Sequence, residues 1–266
     1  MKTISNIKSN QGNEEGQLQS NVLIITPNKF LKLSGFLIFF FLICHLIGIY
    51  ASNKYPHLHI ANMINKFFNL DEEATFPAFF SSVLLLLSSV LLFVISTQKK
   101  GEKYHRRWQV LGFVFLFLCL DEIISIHEEV AVEVQLRLFD QRGFGDLDGL
   151  FYYSWVIPYA LFFLVVALYF FKFVLSLPPK IRNLFILAGC IYVSGALGCE
   201  LIEGFYKKNY PGNDIMMGLY VVIEEVFEML GITIFVYALL HYVASLKIKF
   251  DFENLISNQN KKKESI

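Results

Sequence analysis

Five ionisable side chains fall within nine residues, Asp121, Glu122, His127, Glu128 and Glu129, on the far half of an apolar run that begins at Trp108. Two later apolar runs repeat the pattern, one ending in Glu200 and Glu203, the other holding Glu224, Glu225 and Glu228. A carboxylate at the centre of a bilayer costs about 2.5 to 3.5 kcal/mol on insertion scales, so an intramembrane acid points to function and to a partner. Clustered acids repel one another unless a cation sits among them or some of them hold protons. Oxygen-rich surroundings with one or two imidazoles, from His127 and from His45 in the first apolar run, suit a divalent ion such as calcium, manganese, iron or zinc better than a soft metal. The expected ligand set is therefore Asp121, Glu122, His127, Glu128, Glu200, Glu203, Glu224, Glu225, Glu228 and His45, with the identity of the metal open.

Spacing brings these groups to one level. At 1.5 Å per residue, His45, Asp121, Glu122, Glu224 and Glu225 all lie roughly 18 to 22 Å from the cytosolic edge of a hydrocarbon core roughly 30 Å thick. Glu228 falls a turn nearer the cytosol, and Glu128, Glu200 and Glu203 nearer the outer surface. Asp121, Ser125 and Glu128 share a helical stripe, and Glu200 with Glu203, Glu224 with Glu228 and Glu225 with Glu228 are same-face pairs. His127 belongs to another face, more than 100° from the Asp121 stripe, where a second helix carrying His45 can meet it. Each group also has a plainer reading. Glu128, Glu129 and Glu203 can end in the headgroup zone as solvated residues, and the deeper acids can be protonated ties between helices.

The elements that must position these groups are apolar. The chain has 266 residues, 55% of them hydrophobic and 28 of them Phe, with a mean hydropathy of +0.50. Its long uninterrupted apolar runs predict an all-α, polytopic bundle of six transmembrane spans. They cover about 30–51, 77–96, 108–139, 151–175, 183–205 and 216–243. Between the first two, Ile60, Met63, Ile64, Phe67 and Phe68 recur at helical spacing among polar residues, which predicts an amphipathic helix in the interface. Thr75 is placed to cap the second span, with Pro77 in its first turn. Gly189, Gly195 and Gly198 allow close helix approach in the fifth.

Residues 1–28 read as a flexible polar tail without a signal sequence, 29–246 as the transmembrane domain, and 247–266 as a basic and polar tail. A net charge of zero offers no field for nucleic acid. The four cysteines, Cys44, Cys119, Cys190 and Cys199, lie in apolar runs without CxxC pairing and read as free thiols. The fragment Asp146-Leu147-Asp148-Gly149 lacks the rest of a calcium loop. With both termini in the cytoplasm, 17 of the 23 Lys and Arg lie inside and six outside, which fits multi-pass insertion in the plasma (inner) membrane.

Several known chemistries fit poorly. A di-iron carboxylate bundle needs Glu-x-x-His pairs, and the chain has none. Ser125, Asp121, His127 and His45 partly echo the membrane zinc hydrolases resembling alkaline ceramidases, but a third outer histidine and a seventh span are missing. No Gly-x-Ser-x-Gly-like nucleophile loop is present. An inverted repeat is topologically allowed, yet the halves show no convincing sequence match. Taken together, Phe68-Asn69-Leu70-Asp71-Glu72-Glu73-Ala74-Thr75-Phe76-Pro77, the pattern from Leu120-Asp121-Glu122 to His127-Glu128, and Glu224-Glu225 to Glu228-Met229-Leu230-Gly231 resemble a family of uncharacterised six-span bacterial integral membrane proteins. The resemblance covers 30–243 and implies architecture without an activity.

The sequence thus predicts a membrane-embedded cation site opening outward, for cation translocation or ion-coupled transport. The alternatives are a metal-dependent membrane hydrolase or oxidoreductase acting on a lipid-like substrate, and a structural or partner protein. The expected partners are membrane lipids and a small cation or lipid-like substrate, with a homo-oligomer left open. The basic bias yields a test of orientation. A membrane-impermeant thiol reagent is expected to modify a cysteine placed at Asp146 on intact cells, and one placed at Gly101 only after lysis; the reverse pattern would invert the topology.

Overall fold

The structure is a computed structural model and describes residues 26–138, 152–153, 155–210, 212 and 214–246. The polar tails expected over 1–28 and 247–266 lie outside the described residues apart from 26–28, as does the Asp146 to Gly149 fragment. Among the described residues every regular element is helical. The order is α1 (Pro27–Lys54), α2 (His59–Phe68), α3 (Phe76–Gln98), α4 (His105–Ile124), α5 (Ile126–Leu138), α6 (Val156–Leu175), α7 (Pro179–Val193), a π-helical turn (Ser194–Cys199), α8 (Glu200–Asn209) and α9 (Asp214–Ser245).

Helix starts follow local chemistry. Thr26 and Thr75 cap α1 and α3 with their hydroxyls, accepting from the backbone N–H of Lys29 and Ala78 at 3.4 Å, and Pro27 and Pro77 occupy first-turn positions where no N–H is needed. The serines of α3 are satisfied in two ways. Ser82 and Ser88 donate back to Ala78 and Leu84, whereas Ser89 donates across to the carbonyl of Gly112 at 2.9 Å and fastens α3 to α4.

Among the described residues four helices are long and apolar enough to cross a membrane: Pro27–Lys54, Phe76–Gln98, Val156–Leu175 and the continuous Pro179–Asn209. Their outer faces are bare hydrocarbon. Phe36 and Phe39 on α1 and Leu161, Leu168 and Phe171 on α6 stay 60–69% exposed, a belt that only lipid can cover without penalty. α9 is the central post, packed on α1, α3, α7, α8 and the π turn, with Met229, Val236, Ala238 and Leu239 fully buried. At one end of the bundle Tyr237 donates to Asn28, and Arg107 donates to the carbonyl of Tyr169 while stacking on its ring. Trp108 is held there between Phe173 and Tyr242. The start of α1, the start of α4, the end of α6 and the end of α9 therefore meet at a shared, basic end. The cysteines are free, with Cys119 and Cys199 buried and Cys190 exposed.

Two features depart from the sequence expectation. The run from Trp108 is not one helix, because Ser125 takes φ 53° and ψ 47° and separates α4 from α5. Of the three glycines expected to allow close approach, only Gly195 does so. A Cβ there would lie 2.8 Å from the Glu224 carbonyl, while Gly189 has open space around it and Gly198 meets nothing nearer than 4.0 Å. The reciprocal contact comes from Gly231 on α9, where a Cβ would stand 2.8 Å from Tyr192. Gly195→Ala and Gly231→Ala are expected to destabilise the protein by about 1 to 3 kcal/mol through overpacking, more than the helix propensity gained. Gly189→Ala is expected to be neutral or to stabilise by up to about 1 kcal/mol. Denaturant unfolding of the three variants in detergent checks the order.

Candidate functional site: a carboxylate-lined cavity

The site is built where the regular helices stop being regular. At the end of α4 the Ser125 N–H still reaches the Asp121 carbonyl at 2.7 Å, but the left-handed residue turns the chain so that α5 begins in a new direction. The orphan N–H of His127 at the start of α5 then needs an acceptor. Asp121 supplies it with Oδ1 at 2.8 Å, and the same oxygen lies 3.3 Å from His127 Nδ1. Asp121 therefore caps the second half of the broken helix and orients the imidazole. This corrects the expectation that His127 faces away from Asp121, which assumed one continuous helix. The imidazole Nε2 lies 4.0 Å from Glu73 Oε1, which ties the α2–α3 loop to α4 and α5. Its ring stands beside Trp155 and Tyr159, at centroid distances of 5.2 and 6.4 Å.

The second irregularity is the π turn at Ser194–Cys199, a one-residue bulge of a kind that recurs at functional sites. It precedes Glu200 and Glu203, and its Gly195 lets the chain press against Glu224 and Glu228 of α9. Three helical segments thereby aim acids into one cavity of about 290 Å³. α4 contributes Asp121 and Glu122, α8 contributes Glu200 and Glu203, and α9 contributes Glu224, Glu225 and Glu228. The loop before α3 adds Asp71, Glu72 and Glu73. Ten carboxylates and one imidazole line the cavity, and among its described lining residues there is no Lys or Arg.

Side-chain partners differ within this group. Glu203 is buried and accepts from the Tyr153 hydroxyl at 2.5 Å, and Tyr153 in turn accepts from Lys207 at 2.9 Å, so an exposed ammonium is linked to a buried carboxylate through one phenol. At the loop, burial and the neighbouring Glu72 push the Asp71 carboxyl above its ordinary range, while Lys207 pulls it the other way. Glu200 Oε2 and the Tyr159 hydroxyl are buried without a hydrogen-bond partner. Among the described residues no three His, Cys, Asp or Glu side chains stand close enough to hold a metal ion.

Of the ten residues expected as ligands, eight line the cavity: Asp121, Glu122, His127, Glu200, Glu203, Glu224, Glu225 and Glu228. His45 does not. It is buried against the α2–α3 connection, where its Nδ1 accepts the Leu70 N–H at 3.1 Å. Glu128 lies on α5, and its side chain is outside the described residues. Sequence reasoning missed Asp71, Glu72, Glu73, Tyr153, Trp155, Tyr159 and Tyr192 as cavity residues. In sequence the acidic triplet reads as a polar corner ahead of the second span, and Tyr153 and Trp155 as an aromatic belt at the membrane interface. The signal in hand was the density of acids directly before Pro77.

Fold and cavity together define a helical membrane protein with an acid-lined interior. Residues 34–243 match the family described as Domain of unknown function (DUF8692), and the chain belongs to that family. No curated protein and no solved structure matches the chain.

The cap geometry separates two roles for Asp121. Asp121→Ala removes the acceptor of the His127 N–H and is expected to cost about 1 to 2 kcal/mol, whereas Asp121→Asn keeps an acceptor and is expected to cost less than half of that. Equal losses in denaturant unfolding would mean that the charge, rather than the cap, is what α5 needs.

Proposed function

We propose that this is a six-span membrane protein whose cavity binds an exchangeable cation from the outer side, for translocation or ion-coupled transport. The observation that carries the reading is the ten carboxylates around a single cavity of about 290 Å³ with one imidazole and no Lys or Arg among its described lining. So many acids cannot all be ionised at close range without a compensating positive charge. The missing charge is supplied by bound cations, by protons that exchange with them, or by both. An ion held by a shifting subset of these acids is weakly bound and leaves readily, as transport requires.

In this reading α4 and α9 join the four apolar helices as spans. At 1.5 Å per residue the 20 residues of α4 reach about 30 Å and the 32 of α9 more, enough for the hydrocarbon core. The shared end that gathers Arg107, Lys180 and His241 then faces the cytoplasm, with both termini, and the acidic cavity opens outward. α2 rests in the outer interface with its polar face to water. Transporter ion sites are often built from discontinuous helices, and the Ser125 break and the π turn interrupt two of the helices that line this cavity. A divalent metal is one candidate for the cation, and holding it would require Glu122, Glu200, Glu224, Glu225 and Glu228 to draw closer together than they stand.

Glu225 and Glu228 test this directly, since Gln keeps their size and hydrogen bonding but removes the ionisable group. Each of Glu225→Gln and Glu228→Gln is expected to abolish binding or uptake of sodium, potassium, calcium or manganese ions in proteoliposomes, with the protein still folded and inserted. Unchanged ion binding in the double variant would overturn the reading and leave the acids as neutral ties between helices.

A further inference from the structure

A second cavity adjoins the acidic one. It measures about 700 Å³, lies between α4, α6, α7 and α9 toward the basic end, and has no charged residue in its described lining. The two share Leu118, Phe163 and Tyr192 as common wall. Its volume is that of a pocket for a small organic molecule, about 300 to 1,000 Å³. A polar, acidic chamber at one end of an apolar one is the shape of an amphiphile.

Charge and unpaired groups narrow the class of occupant. Ten carboxylates repel a phosphate or sulfate head. Moving an alkyl chain from the bilayer into an apolar cavity gains little, because lipid tails are as apolar as the side chains they would meet, so selection has to act on the head. Two buried oxygens on cavity-lining residues lack a hydrogen-bond donor, the Tyr159 hydroxyl and Glu200 Oε2, and Tyr159 is only 7% exposed. A primary ammonium offers three N–H donors and a full charge. It also suits aromatic faces, and Trp155 stands 5.3 Å from Tyr159 and 5.2 Å from His127 on the same wall.

We propose that the two cavities form one binding site for a single-chain primary amine, its ammonium among Glu200, Tyr159 and the acids of α9 and its alkyl chain in the apolar cavity beyond Tyr192. This rests on the acidic cavity being a cation site, and it names the class of cation. An outer-leaflet amphiphile would enter head-outward, with its chain running toward the cytoplasmic side.

Gly189 makes the chain testable by itself. It lines the apolar cavity, and an added Cβ there meets nothing within 4 Å, so Gly189→Leu adds bulk to that lining with no clash at its Cβ. Equilibrium binding of radiolabelled dodecylamine and ethylamine to the full chain in phosphatidylcholine nanodiscs, with empty nanodiscs subtracted, provides the readout. Referred to free ligand in water, from which an alkyl chain does gain on entering an apolar cavity, dodecylamine is expected to bind saturably, to compete with ethylamine, and to bind more tightly than it. Gly189→Leu is expected to weaken dodecylamine by about tenfold or more, as lost methylene contacts do, and to leave ethylamine unchanged. Gly189→Ala should give a smaller loss of the same sign.

If ethylamine or the inorganic ions bind but dodecylamine gains nothing from its chain, or Gly189→Leu has no effect, the amphiphile proposal falls while the cation site stands. Dodecyl sulfate binding as well as dodecylamine would also overturn the proposal, as partition without head selection. Absence of binding by ethylamine and by every inorganic ion tested would remove the cation site and the proposal with it.

Discussion

The whole arrangement depends on the cost of placing carboxylates in a medium that cannot solvate them. Glu122, Glu224, Glu225 and Glu228 sit on helices that are otherwise mostly apolar, and Glu200 and Glu203 follow directly on the apolar run of α7. Facing lipid, each acid would forfeit its hydration with nothing in return. Facing one another across a shared cavity, they keep water, exchangeable protons or a cation within reach. The cheapest fold for such a chain is therefore one in which every acid-bearing face turns inward, and the exposed belts of α1 and α6 are the counterpart of that sorting.

Regular helices alone would not bring these faces together closely enough. Three local departures do the work, and each touches the cavity. The left-handed Ser125 ends α4 and presents both the Asp121 carboxylate and the start of α5 to the same space. The π turn slips the register of the α7–α8 helix just before Glu200. Gly195 and Gly231 let that helix and α9 approach to backbone contact, Gly195 against the Glu224 carbonyl and Gly231 against Tyr192. A non-glycine residue in the left-handed region costs of order 1 to 3 kcal/mol, and the chain offsets it with the two bonds that Asp121 Oδ1 makes to His127.

This division explains what the sequence could and could not reveal. Long apolar runs, the Thr75 cap with Pro77, and the convergence of acids from three helices are properties of composition and of the 3.6-residue period, so they are readable in one dimension. The break at Ser125 is not, because no Gly or Pro marks it. Its cause is a local side-chain cap: the acceptor that makes it tolerable is the Asp121 carboxylate, six residues before the N–H it receives. Once the helix breaks, angular arguments made across it fail, and His127 lands on Asp121 instead of opposite it. His45 lies outside the cavity for a different reason. Depth along a helix puts a residue at a level but not on a side, and a free backbone N–H at Leu70 lay nearer than the cavity. The small-residue run Ser194-Gly195-Ala196-Leu197-Gly198 did advertise a close approach, though not the π geometry that accompanies it.

The link from Lys207 through Tyr153 to Glu203 adds an asymmetry to the cavity. Glu203 has a fixed donor and a cation two bonds away, so its charge is compensated from the exposed side without any guest. Glu224, Glu225 and Glu228 stand on the central helix, and Lys207 is not bonded to them. If the cavity takes a cation as proposed, Glu203 already has Tyr153 and Lys207 to compensate its charge, which leaves the acids of α9 for the guest. The phenol thus sets which acids are left for a guest, and the central helix, packed on nearly every other element, is where the arrival of that guest would be felt.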